Sequence, residues 1–180
     1  MITATWDIET TDLRADIGSL IVASFAFLDD DDNVKFVETA NAQTIGKGSS
    51  VQREKRLATW TREQMERADI LIGHNSLAFD RWFVNGVLFR HNLPLIPKRI
   101  HIDTYQTAKG RIGMGASMKN LVDIMQIGSK DAPSKHDWRE ANHDDPDALA
   151  RITERCESDV ILTAAMWRKL KPIYFERFGR

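Results

Sequence analysis

Ile2-Thr3-Ala4-Thr5-Trp6-Asp7-Ile8-Glu9 decides the reading of this chain. Apolar Ile2, Ala4, Trp6 and Ile8 alternate with Thr3, Thr5, Asp7 and Glu9. A period of two is that of a β-strand with one face in a core. The second face then carries two acids at its end. Working outward, Leu20 to Leu28 is a second apolar strand, and Lys35 to Thr39 a third after the Asp29–Asn33 turn. Gly46 to Ser50 reads as a loop, followed by a mostly polar helix over about Ser50 to Ala68. Ile70 to Gly73 is a short buried strand. Phe79, Trp82, Phe83, Val87 and Phe89 mark a helix that ends near His91, before Pro94. Ile100 to Ile102 is a further strand, Thr104 to Lys109 begins a helix, and Met118 to Met125 is helical. Gly128 to Pro146 is polar and is expected as loop. A long helix follows over Pro146 to Leu170, with Pro172 expected to close it. Strands alternating with helices define an α/β or α+β domain.

The 180 residues fit a single domain, 1–180, with 42% hydrophobic and 28% charged residues. Apolar runs stay short of the roughly 20 residues of a membrane span. No basic leader followed by an apolar stretch opens the sequence, so no secretory signal and a cytoplasmic location are expected. The one cysteine, Cys156, forbids an intramolecular disulfide. A net charge of −1 argues against binding nucleic acid by bulk positive charge alone. A carboxylate metal site would itself subtract charge that divalent ions restore.

Three acidic signals carry the chemistry. Asp7 and Glu9, two apart on a strand, point to one face with backbones roughly 7 Å apart, close enough to share divalent ions. An isolated pair of this kind is more often a pair of solvated acids. Asp80 ends His74-Asn75-Ser76-Leu77-Ala78-Phe79-Asp80, after a buried strand and within the first turn of a helix. The helix dipole alone favours an acid there, by about 0.3–1 kcal/mol. Asp159 falls inside the apolar stripe Leu149, Ile152, Cys156, Val160, Thr163, Trp167 and Leu170. A carboxylate facing a core must be paired or bound to metal. Arg155, one turn earlier, is the plain alternative partner.

Together these segments resemble the three motifs of the DEDD 3′→5′ exonucleases, a branch of the ribonuclease H-like superfamily. Asp7-Ile8-Glu9-Thr10 is similar to the first motif, Asn75 to Asp80 to the second, and Cys156-Glu157-Ser158-Asp159-Val160 to the third. Ser117 to Leu121 and Ile127-Gly128 resemble the helix between the second and third motifs. The likeness is greatest to exonucleases related to the proofreading domain of family B DNA polymerases. The resemblance implies a mixed five-stranded sheet, its second strand antiparallel to the rest, with helices on both faces. It implies two divalent ions, Mg2+ or Mn2+, on Asp7, Glu9, Asp80 and Asp159. It implies a nucleic-acid partner, DNA or RNA, hydrolysed at its 3′ end to nucleoside monophosphates. Thr10, Thr11 and Leu13 would meet the terminal nucleotide, and Asn75 the substrate strand. His74 would contact substrate or be a hydrogen-bonded structural histidine.

The family's general base is a Tyr four residues before the last Asp, or a His five before it. Arg155 and Glu154 stand at those positions. Glu154 acting as base, His136 or His143 reaching in, or metals alone are the candidate replacements. The alternative from another class is a catalytically silent ribonuclease H-like module that binds nucleic acid or a protein, with Arg155 neutralising Asp159. An unrelated α/β binding domain would require the motifs to coincide by chance. Gly46-Lys47-Gly48-Ser49 lacks the upstream glycine of a phosphate loop. Asp103 reads as a helix N-cap, and Trp60 and Trp138 as core or base-stacking residues.

Overall fold

The computed structural model describes residues 1–130, 135–142 and 145–176. Its strands are β1 (Thr3–Thr10), β2 (Leu20–Leu28), β3 (Val34–Asn41), β4 (Ile70–Gly73) and β5 (Ile100–Asp103). Its helices are α1 (Ser50–Arg67), α2 (Asp80–Arg90), α3 (Thr104–Ile112), α4 (Met118–Met125), α5 (Lys135–Asn142) and α6 (Pro146–Phe175). The sheet order is β3-β2-β1-β4-β5. β2 runs antiparallel to β1 and β3, while β1, β4 and β5 are parallel. This is the mixed five-stranded sheet expected from the sequence.

The two-residue period of β1 sorts its side chains between two layers. Ala4, Trp6 and Ile8 join Phe25 and Phe27 under Leu57 and Met65 of α1 and Val84, Val87 and Leu88 of α2. Each fully buried Val, Leu, Ile, Phe or Met side chain among them contributes about 1.5–3 kcal/mol. The opposite face takes α6, where Leu149, Ile152 and Cys156 cover Ile21 and Val22, and Trp167 covers Ile72 and Ile102. Thr5, on that face, donates its hydroxyl to the Val160 carbonyl at 2.8 Å. Asp7 and Glu9 follow Thr5 on the same side, so they point at α6.

Two expectations are corrected. The polar segment after Gly128 is not all loop, because α5 forms within it. Tertiary contacts hold this polar helix: Asp137 pairs with Arg151 of α6, and the Trp138 indole donates to Glu9. Pro172 does not close α6, which runs on to Phe175. A proline removes one backbone hydrogen bond, and the Tyr174 and Phe175 rings packing on Trp167 hold the final turn. α2 ends at Arg90 with His91 as its cap, as expected, and its Trp82 and Phe89 are 62% and 78% exposed. No described helix is long and apolar enough to cross a membrane.

Candidate active site

β1, the N-terminus of α2 and the middle of α6 converge on one pocket of about 360 Å3. Asp7 and Glu9 come from β1, whose pairing with β2 shifts register between Glu9 and Thr10. Such a bulge ends regular pairing and turns the chain away. Asp80 comes from the first turn of α2. The connection leading to it is held by Asp103, whose carboxylate accepts the backbone N–H groups of Asn75 and Leu77, both at 3.0 Å. The same carboxylate caps α3 through Gln106 N–H at 3.2 Å, as the sequence indicated. Asn75 sits at φ +65°, a left-handed conformation that Asn tolerates.

Gly73 makes the approach possible. A Cβ there would lie 2.3 Å from Ser76 Oγ and 2.4 Å from Ser76 Cβ. Ser76 is buried, so Gly73→Ala is expected to destabilise the domain by about 1–3 kcal/mol through overpacking. Urea denaturation checks this; an unchanged midpoint would show that the turn yields freely.

Carboxylate oxygens of Asp7, Glu9 and Asp159 lie within 4.8 Å of one another. Asp80 lines the same pocket. Burial, then the charges of Asp80, Glu9 and Asp159, push the Asp7 carboxyl well above its usual range. Burial also raises Glu9, against the pull of Arg155. Asp80 is pushed up to about 7 by burial, although its own N–H and that of Ile8 favour its anion. An all-oxygen donor set with this excess of negative charge fits hard divalent cations such as Mg2+ or Mn2+.

Two cations already face these acids. Arg155 Nε donates to Glu9 Oε1 at 2.8 Å, and its Nη2 lies 3.5 Å from Asp159 Oδ2. Lys130 Nζ donates to the same Asp159 oxygen at 2.8 Å and touches Met118 Sδ at 3.0 Å. Trp138 Nε1 donates to Glu9 Oε2 at 3.0 Å. The Arg155 guanidinium lies 5.4 Å from the Trp138 ring centroid. The buried Cys156 thiol lies 3.7 Å from Asp7 Oδ2, and burial raises its pKa well above the usual value.

The raised Asp80 value gives a pH dependence for metal-free protein. Its unfolded value is near 3.8 and its folded value about 7. The folded state therefore binds more protons across that interval, and stability falls as pH rises through it. Asp80→Asn removes the effect. The melting temperature of this variant, relative to the native chain in chelator, is expected to climb from pH 4 to about pH 8. A constant difference would contradict it.

A second groove, about 820 Å3, adjoins the acidic pocket and shares Ile8, Glu9 and Phe79 with it. Thr10, Thr11, Leu13 and Trp138 line it. The Thr10 hydroxyl donates to the Asp12 carbonyl and Thr11 Oγ1 accepts Ser19 N–H, so both threonines also shape the loop. Leu13 is 81% exposed. Asn75 and His74 line the acidic pocket. His74 Nδ1 lies 2.9 Å from Thr104 Oγ1, and burial lowers its pKa to about 4, so it is neutral. Trp60 packs edge-on against Phe25 in the core, away from the site.

Glu154 is exposed and does not line the pocket. The turn geometry of α6 explains this: Arg155 and Asp159, one turn apart, share the inward face and leave Glu154 outside it. His143 lies outside the described residues, as does the side chain of His136. Lys130 has no counterpart in the sequence reading. It stands in a polar stretch with no periodicity to give its direction.

Fold and acidic centre together define a ribonuclease H-like α/β domain. The chain belongs to the RNase_H superfamily, whose family model matches residues 5–171. Among solved structures it is similar to the family B DNA polymerase from the hyperthermophilic archaeon Pyrobaculum calidifontis. The TM-score is 0.73 at 13% identity, over 96% of this chain and 25% of the polymerase. This chain thus spans about a quarter of that protein's length. No curated protein matches it. The two matches support the ribonuclease H-like fold that the three motifs indicated.

Proposed function

We propose that residues 1–180 form a single 3′→5′ exonuclease domain that hydrolyses the terminal phosphodiester of DNA or RNA and releases nucleoside monophosphates. One observation carries the reading: acids from three separate elements line one pocket, and three of them bring oxygens within 4.8 Å of one another. Asp7, Glu9, Asp80 and Asp159 would hold two divalent ions, Mg2+ or Mn2+. When bound, such a pair supplies the Lewis acidity that an attacking water and a departing 3′ oxygen require.

The chain's own groups position the substrate. Leu13, Phe79 and Trp138 offer apolar walls to a terminal nucleoside beside the acids, and base stacking on an aromatic face contributes about 1–3 kcal/mol. Asn75 borders the strand's path. His74 holds the turn through Thr104. Glu154, exposed, is not carried into this reading as a base. A 5′-labelled single strand of DNA or RNA, incubated with manganese, should shorten stepwise from its 3′ end. A strand that stays intact over hours sinks the proposal.

The two cations favour a second reading, a silent module in which Arg155 and Lys130 neutralise Glu9 and Asp159 in place of metal. In that case divalent ions leave the melting temperature unchanged.

A further inference from the structure

We propose that Arg155 is an exchangeable counter-ion and phosphate clamp: it holds Glu9 and Asp159 until divalent ions load, and then transfers its guanidinium to the substrate's terminal phosphate. The inference rests on the exonuclease reading for its second half only. The position is one where a base is expected from the motifs, yet a guanidinium cannot be deprotonated in a protein. What it can do follows from its contacts. Arg155 bridges two prospective metal ligands from different elements, at 2.8 Å to Glu9 and 3.5 Å to Asp159. A metal ion claiming either oxygen competes with it for the same negative charge.

Glu9 makes the competition sharp. Arg155 holds Oε1 and the Trp138 indole holds Oε2. Both oxygens are therefore engaged by donors with which an incoming ion competes. The displaced guanidinium has little freedom to leave. It rides on α6 one turn before Asp159 and lies against the Trp138 face, a cation–π contact that survives loss of the carboxylates. It stays at the junction of the acidic pocket and the groove that Trp138 lines. A phosphate entering there meets a planar fork of donors suited to paired phosphate oxygens. Lysine offers a point charge without that fork. Lys130 cannot substitute from its own place, because it reaches Asp159 and not Glu9.

The test separates metal exchange from phosphate binding. Calorimetric titration of Mn2+ into Arg155→Gln and the native protein reads the first without any nuclease assay. Removing the competing cation should tighten Mn2+ binding by about tenfold, a usual size for coupled ligands. Equal or weaker Mn2+ binding by the variant overturns the exchange. At saturating Mn2+, kcat of Arg155→Gln on a labelled strand should fall by about a hundredfold, the scale for losing one preorganised donor. Arg155→Lys should recover only part of it. Full kcat in Arg155→Gln overturns the clamp. If the native chain cuts nothing, the exonuclease reading fails while the Mn2+ titration still decides the exchange. Unchanged far-ultraviolet dichroism of the variants shows that folding is not the cause.

Discussion

Manganese added to the metal-free protein is expected to raise its melting temperature by about 5–10 °C. A ligand that binds only the folded state stabilises it by about 2.7 kcal/mol at a hundred times its dissociation constant. For a domain of this size each kcal/mol is worth roughly 2–4 °C. The physical source is the repulsion already present in the pocket. Burial and neighbouring charges raise the carboxyls of Asp7, Glu9 and Asp80, so the folded chain carries anions it is poorly built to keep. A bound pair of divalent ions would cancel that repulsion, and the unfolded chain would gain nothing comparable. Chelator should reverse the shift. Differential scanning fluorimetry with and without manganese measures it, and a flat response would favour the silent module.

Asp7→Asn should move stability and activity in opposite directions. Asp7 faces three other carboxylates, with the charges of Lys130 and Arg155 acting to keep it ionised. A neutral amide of the same shape relieves the conflict, so the metal-free variant should melt about 1–8 °C higher, from a gain of roughly 0.5–2 kcal/mol. Hydrolysis should drop by at least about 10²–10³-fold, since a preorganised charge at the reacting centre is lost. Sites that gather like charges trade stability for function in this way. Both quantities come from one preparation: a melting curve in chelator and a single-turnover assay in manganese. A variant that melts lower and cuts normally would place Asp7 outside the metal site.

The period of two in β1 told which face Asp7 and Glu9 occupy, and the structure puts that face against α6. The apolar stripe of α6 told that Asp159 points inward, and it is 4% exposed. Asp103 announced itself as a cap by standing between a strand and a helix. These readings succeed because backbone periodicity fixes side-chain direction locally. Lys130 and α5 were illegible for the opposite reason. Lys130 meets Asp159 across 29 positions of chain, and nothing near it in sequence sets that direction. α5 exists through Asp137–Arg151 and Trp138–Glu9 contacts, which a polar eight-residue stretch does not reveal. Arg155 shows a mixed case. Helical spacing named Asp159 as its partner, while the stronger bond to Glu9 depends on how α6 lies across β1.

Anomalous diffraction from crystals soaked in manganese is the most direct measurement of the central claim. Two peaks about 3.5–4 Å apart, enclosed by the carboxylates of Asp7, Glu9, Asp80 and Asp159, are the expected result. Density without such peaks, with Arg155 still bonded to Glu9 at high manganese, would contradict it.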